Sequence, residues 1–261
     1  MRFEAAGGWA AVAKAVVVPG LGLVALEWYA RSIGFSDSIA PPSIAVAELG
    51  RSLADGSLLE ATLFTLHAAG LGLAIGGGLG VLLGLLLGLS LRAAKAAFLS
   101  IEVFRPIPSV ALIPLAMLVF GFGVDMEASI VAFATFWPAA ILTQAAVRQV
   151  EPRLLEVATV LGLSTVAKLW KVVLPAIVPR LFVALRLCVG VALVVAVTVE
   201  IAANPHGLGF GLSMAQQTLR PALMLAWLFW IACVGYGLNA AALALQMAVA
   251  KRMGDVHEVR R

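Results

Sequence analysis

The sequence predicts an all-α integral membrane protein of six spans joined by one structured cytoplasmic loop, on three observations. Of its 261 residues, 62% are hydrophobic and 12% charged, against a charged share near ~25% in soluble domains; a soluble core of this size cannot hide so much apolar surface. Six stretches are long and apolar enough to cross ~30 Å of hydrocarbon at ~1.5 Å per helical residue. The basic residues fall mostly on one side of those stretches, the positive-inside asymmetry of a membrane protein.

In chain order the spans run from Ala10 to Arg31, Leu59 to Leu89, Ala97 to Phe120, Ala128 to Val147, Ala176 to Ala203 and Ala222 to Ala250. Arg2 and Lys14 around the start of the first could belong to a secretory signal, but Glu27, Trp28 and Tyr29 stand where small cleavage-site residues belong, so it reads as a retained helix. With both termini in the cytoplasm, twelve of the 18 Lys and Arg lie inside and only Arg31, Arg51 and Arg220 lie outside, while Arg105, Arg180 and Arg186 sit within or at the edge of spans. One membrane domain covers 1–261, with the cytoplasmic loop near 148–175 and external loops near 32–58 and 204–221. The net charge of +4 is too weak and too scattered for nucleic-acid binding. Cys188 and Cys233 lie in apolar runs, as small hydrophobes rather than a disulfide or metal ligands.

Gly72, Gly76, Gly80, Gly84 and Gly88 follow at strict four-residue spacing along the second span, a ridge without side chains for another helix to approach. It is a packing feature, since a phosphate cradle of the G-x-x-x-x-G-K-[ST] type occurs nowhere in the chain. His67, His206 and His257 have no metal-ligand spacing, and neither H-E-x-x-H nor G-x-S-x-G is present, so the sequence offers no catalytic constellation.

The loop between the fourth and fifth spans mixes polar and apolar residues. Pro152 suits a first helical turn and Gly162 a helix stop, predicting a short helix from Pro152 to Leu161 with an apolar stripe of Leu154, Leu155, Ala158 and Leu161. A second short helix should begin near Ser164 and stop before Pro175. Such a helix either rests on lipid headgroups or passes a push from a partner to the spans at its ends.

This loop resembles the signature of the membrane subunits of binding-protein-dependent ABC importers: E-A-A, three residues, G, nine residues, I, one residue, L-P. The chain shows Glu156, Val157, Ala158, Gly162, Val172, Leu174 and Pro175 at those spacings, with Val157 and Val172 as conservative departures. Further matches are similar to the sulfonate, taurine and nitrate subgroup: Pro41-Pro42-Ser43, Asp55-Gly56, Arg105, Ile107, Pro108, Ala111, Pro114, Leu115, Phe120 to Gly123, Leu185-Arg186, Gly190, Glu200 and Gly207-Leu208-Gly209. Val124, Asp125, Met126 and Glu127 depart from it in lacking a Lys, and so does His67.

The resemblance implies a type I importer permease of the inner membrane, without enzymatic activity or a cofactor of its own. ATP and Mg would be bound by two copies of a cytoplasmic ATPase subunit gripping Glu156, Val157, Ala158 and Gly162 ahead of Pro175. A second permease, most simply an identical copy, and an external solute-binding protein would complete the system. The cargo would be a small anion such as a sulfonate, taurine, nitrate or bicarbonate. The alternative is a secondary carrier driven by an ion gradient, whose inverted repeats and mid-membrane acids are not evident.

Charges and breaks within the spans nominate the pathway. Glu102 and Arg105 share a helical face as an ion pair. Arg105 also precedes Pro106, and Pro108 and Pro114 follow, so this segment either lines a cavity or makes a packing kink. Arg186 either attracts an anion or binds helix-end carbonyls, and Glu200 anchors the external turn at Asn204-Pro205-His206-Gly207 and contributes to a gate. Gln144, with Thr143 and Thr198, serves as glue between helices or as part of a hydrophilic path.

Overall fold

The structure, a computed structural model, describes residues 5–33 and 40–252. Arg2, His257, Arg260, Arg261 and residues 34–39 of the expected first external loop lie outside the described residues. Among those described, the regular structure is entirely helical: α1 (Ala5–Ile33), α2 (Pro42–Ala54), α3 (Ser57–Leu89), α4 (Leu91–Phe104), a 3-10 turn (Ser109–Leu112), α5 (Ile113–Phe120), α6 (Val124–Arg148), α7 (Pro152–Val160), α8 (Thr165–Lys168), a π turn (Leu169–Val173), α9 (Leu174–Ala202), α10 (Gly207–Gln217) and α11 (Pro221–Arg252). Two compact units form: the described residues through Glu60 with Gly211–Ala232, and Ala61–Phe210 with the described residues from Cys233 onward.

Among the described residues, four helical runs are long and apolar enough to cross a membrane: Ser57–Leu89, Val124–Arg148, Val166–Ala202 and Pro221–Lys251. The third expected span is not one helix. It is a pair, Leu91–Phe104 and Ser109–Phe120, bent by 78° at the Arg105–Pro108 break, where Pro106 and Pro108 each remove an amide donor and clash with a preceding carbonyl. The first expected span lies within α1, a continuous helix of 29 residues outside the four strongest candidates. Both expected external loops also carry a helix, α2 in one and α10 in the other.

In the first unit, Glu27 of α1 holds the start of α2. Its carboxylate accepts the Ser43 amide at 3.0 Å, the Ser43 hydroxyl at 2.7 Å and Arg31 Nε at 2.6 Å. Glu48 meets Arg51 at 3.0 Å and Arg220 at 3.5 Å. A Cβ on Gly211 would press on the Trp227 ring, so that glycine admits the indole.

The second unit is organised around α6. The glycines of the α3 ridge face it: Gly72, Gly76, Gly80 and Gly84 meet its backbone at Ala128, Ala132, Phe136 and Ala140, with the Val131, Ala139 and Thr143 side chains beside Gly72, Gly80 and Gly84, and Gly88 meets the Val147 side chain. Both numberings rise together, so α3 and α6 run parallel. Helix α9 packs on both α3 and α6 and presents Ala184, Cys188, Ala192, Ala196 and Glu200, all buried and also four apart. Met126 and Ile130 pack with Val199, Val131 with Ala192 and Ala196, and Val147 with Val173 and Ile177. Here the numberings run oppositely, and α9 is antiparallel to α6.

A side chain on the ridge has nowhere to go, because the neighbour is backbone that cannot step aside. Gly76→Val should therefore lower thermal stability in detergent by an amount equivalent to several kcal/mol, as overpacking does at about 1–3 kcal/mol or more. Gly78→Ala, where nothing lies within 4 Å, should be neutral or raise stability by up to about 1 kcal/mol through helix propensity. Equal melting temperatures for the two variants would show that the α3–α6 approach is not tight.

Candidate functional site

The loop between α6 and α9 is built as its glycine signals. Leu163 N–H donates to Ala158 C=O and Gly162 N–H to Thr159 C=O, both at 3.0 Å. With Gly162 at φ +70° this is the paired-bond arrangement that satisfies the last carbonyls of a helix through a left-handed residue. Gly162 has open space around it, so glycine is needed there for its backbone angle and not for room. Beyond it, Ser164 Oγ accepts the Ala167 amide at 3.3 Å, and Lys168 Nζ donates to Thr159 Oγ1 at 2.9 Å, tying α8 back to α7.

Two expectations for this loop change. The inward stripe of α7 is narrower than predicted: Ala158 is buried and Leu155 packs on the cluster of Val147, Val150, Val173 and Ile177, whereas Leu154 and Leu161 face outward. Nor does the chain stop before Pro175. Leu174 N–H reaches back to Leu169 C=O, a widened turn that leads straight into α9 with Pro175 in its first turn, where a missing amide donor costs little. A rigid run from Val166 to Ala202 results.

On its outer face α7 leaves Val157 57%, Val160 88% and Leu161 70% exposed, with Glu156 exposed beside them. The loop thus joins a core-anchored inner side to an apolar outer knob.

The other expected residues separate into two places. Arg105 caps α4 and reaches Glu102 at 3.8 Å, both half exposed; Pro108 precedes the 3-10 turn and Pro114 lies in the first turn of α5. A cavity of about 380 Å³ opens between this break, α6 and α9. Of the two readings of Arg186, attraction of an anion or binding of helix-end carbonyls, the second meets a side-chain amide instead: Arg186 Nε donates to Asn239 Oδ1 of α11 at 2.8 Å. Gln144 is half-buried on α6 beside Gly84.

Glu200 is 1% exposed at the far end of α9. It accepts the Thr65 hydroxyl at 2.6 Å and the Gly209 amide at 2.7 Å, while Thr65 Oγ1 accepts the Leu208 amide at 3.0 Å. Gly207 is required in this knot, because a Cβ there would collide with the Glu200 carboxylate. Fully buried Glu127 faces the same cluster and accepts Asn204 Nδ2 at 2.8 Å, and that amide also donates to Gly123 C=O at 3.3 Å. The knot fastens α3, α6, α9 and the first turn of α10 at one end of the bundle.

The family described as binding-protein-dependent transport system inner membrane component matches residues 76–255, which include the loop, the break and most of the knot. The chain belongs to that family. Among its relatives is the protein named "Putative aliphatic sulfonates transport permease protein SsuC" of Bacillus subtilis, 30% identical over 84% of this chain and 76% of that one. Another is the taurine transport system permease protein TauC of Escherichia coli, 33% identical over 60% of this chain and 57% of its own length. In fold the chain is similar to one from the MetNI methionine ABC transporter in an inward-facing conformation, with a TM-score of 0.64 and 19% identity over 76% of this chain and 96% of that one.

Within this transport-permease fold, Thr65 is a residue that reading the sequence alone left out, while Glu127 and Asn204 were named only in a departing run and in an external turn, without this pairing. The available signal was an acid in an otherwise apolar helix, which demands a partner; the partner, Asn204, lies 77 residues away. Asn204→Ala would leave the buried Glu127 oxygen without its donor. The expected loss is about 1–3 kcal/mol, the cost of an unsatisfied buried acceptor, read as a lower melting temperature of the purified protein. A melting temperature equal to that of the parent would show that the amide does not hold this end of the bundle.

Proposed function

We propose that the chain is the pathway-forming subunit of an ATP-driven importer for a small anion, worked through α7 by a separate cytoplasmic ATPase. The observation that carries this reading is the two-sidedness of α7. Leu155 and Ala158 bed into the ends of α6 and α9, while Val157, Val160 and Leu161 offer an uncovered apolar knob. A partner that grips the knob moves a rigid cap, and the cap moves the two helices packed on it.

Pairing with a second copy, two ATPase subunits binding ATP and Mg, an external solute-binding protein, and cytoplasmic termini complete the proposal. Membership of a binding-protein-dependent family supports it, as do relatives named for sulfonates and taurine. ATP binding would draw the two α7 knobs together and open the pathway outward.

Because Val160 touches no core, Val160→Asp should leave the melting temperature of the permease unchanged yet prevent copurification of its ATPase. Gly162→Val should raise the cost of the left-handed cap by about 1–2 kcal/mol and reduce solute-stimulated ATP hydrolysis by tenfold or more while membrane insertion stays intact; Gly162→Asn, tolerated at such angles, should retain much of it. Undiminished ATPase association in Val160→Asp would mean that α7 is not the gripped element, and the lipid-headgroup reading would then hold.

A further inference from the structure

The cavity at the α4–α5 break is uneven in chemistry. Its one charged lining residue is Arg105, with Ser109 close to it along the break, and the rest of the wall is apolar. Phe133 and Trp137 of α6 stand edge-to-face at 6.2 Å and 81°, and Val191 and Val195 of α9 line it as well. Arg105 is poorly neutralised. Its contact with Glu102, at 3.8 Å and half exposed, is at the limit of an ion pair, and among the described residues the guanidinium has no other partner. A guanidinium has five donors in a planar fork suited to sulfonate or carboxylate oxygens, so most of that capacity is open. The volume of about 380 Å³ falls in the range of small-molecule pockets, ~300–1,000 Å³.

We propose that this cavity binds an organic anion with an apolar tail, its anionic head at Arg105 and Ser109 and its hydrocarbon along Phe133, Trp137, Val191 and Val195. The proposal rests on the importer reading above and narrows its cargo class. Nitrate or bicarbonate would gain nothing from the aromatic and aliphatic wall. Taurine would carry its ammonium to the apolar end, where no acid lines the cavity, and an unpaired ammonium is costly to desolvate. The acid nearest Arg105, Glu102, is at the opposite end. An alkyl- or arylsulfonate, or the matching carboxylate, uses both halves of the site.

The test is calorimetric binding to the permease–ATPase complex in phosphatidylcholine nanodiscs, without solute-binding protein and with empty nanodiscs as blank. Ethane-, butane- and hexanesulfonate, taurine and nitrate serve as probes. Affinity should rise about fourfold per added methylene, the increment for burying one CH₂, with taurine and nitrate at least tenfold weaker than butanesulfonate. Arg105→Gln should weaken all three alkanesulfonates about tenfold or more, and Arg105→Lys less. Val191→Phe, which fills the tail end, should flatten the chain-length dependence while sparing ethanesulfonate.

A flat chain-length series, or equal affinities in Arg105→Gln and the parent, would overturn the proposal. So would loss of hexanesulfonate binding in phosphatidylglycerol nanodiscs together with loss of retained phosphatidylglycerol in Arg105→Gln, which would assign the cavity to a lipid headgroup. Nucleotide hydrolysis by the same complex reads the importer mechanism separately. Coupled hydrolysis with a flat series removes this inference alone.

Discussion

The close approach of α3 and α9 to the backbone of α6 is the constraint on which the second unit depends. Lipid is as apolar as leucine, so burial alone gives helices in a bilayer little reason to associate, and dispersion at short range must hold them. Five glycines on α3 and an alanine, cysteine and alanine series on α9 remove the side chains that would keep the axes apart. Helix α6 is accordingly the most buried of the four apolar runs, with 44% of its best window covered. Its position is set along its whole length, and both functional ends inherit that precision.

At one end the inheritance is polar. Glu127 and Glu200 sit where the ridges finish; Glu200 accepts from Thr65 and Gly209 and one Glu127 oxygen from Asn204, while Glu127 Oε1 is buried without a hydrogen-bond partner among the described residues. At the other end it is apolar, with Leu155 seated among Val147, Val173 and Ile177. The paired helices α6 and α9 therefore connect the α7 knob to the knot, 20 residues away from Val147 to Glu127 on α6 and 23 from Ile177 to Glu200 on α9.

What was legible in the sequence was what chemistry makes local. The α3 ridge shows itself because only glycine was used, and the α7 cap shows itself because Pro152 and Gly162 sit at their signalling positions. The α9 ridge stayed hidden, since alanine, cysteine and glutamate share no type although they share a face. The Glu127 partnership was invisible because it closes across two helices. Pro175 misled for a different reason. A proline forbids one hydrogen bond, and a π turn before it supplies the lost winding, so the helix continues where a local rule ends it.

The parallel setting of α3 and α6 carries a consequence for the stretch that joins them. Neighbours that point the same way cannot be linked by a hairpin, so the intervening chain must travel the whole way back through the hydrocarbon. The 3-10 turn and α5 together reach only about 20 Å, short of a layer of ~30 Å. Where the bent pair of α4 and α5 makes that crossing, the elbow at Arg105 and Pro106 falls inside the oily slab instead of at its rim. A guanidinium is costly against acyl chains. That elbow therefore has to look onto water or onto another protein surface, and the side of the molecule bearing it is turned away from lipid.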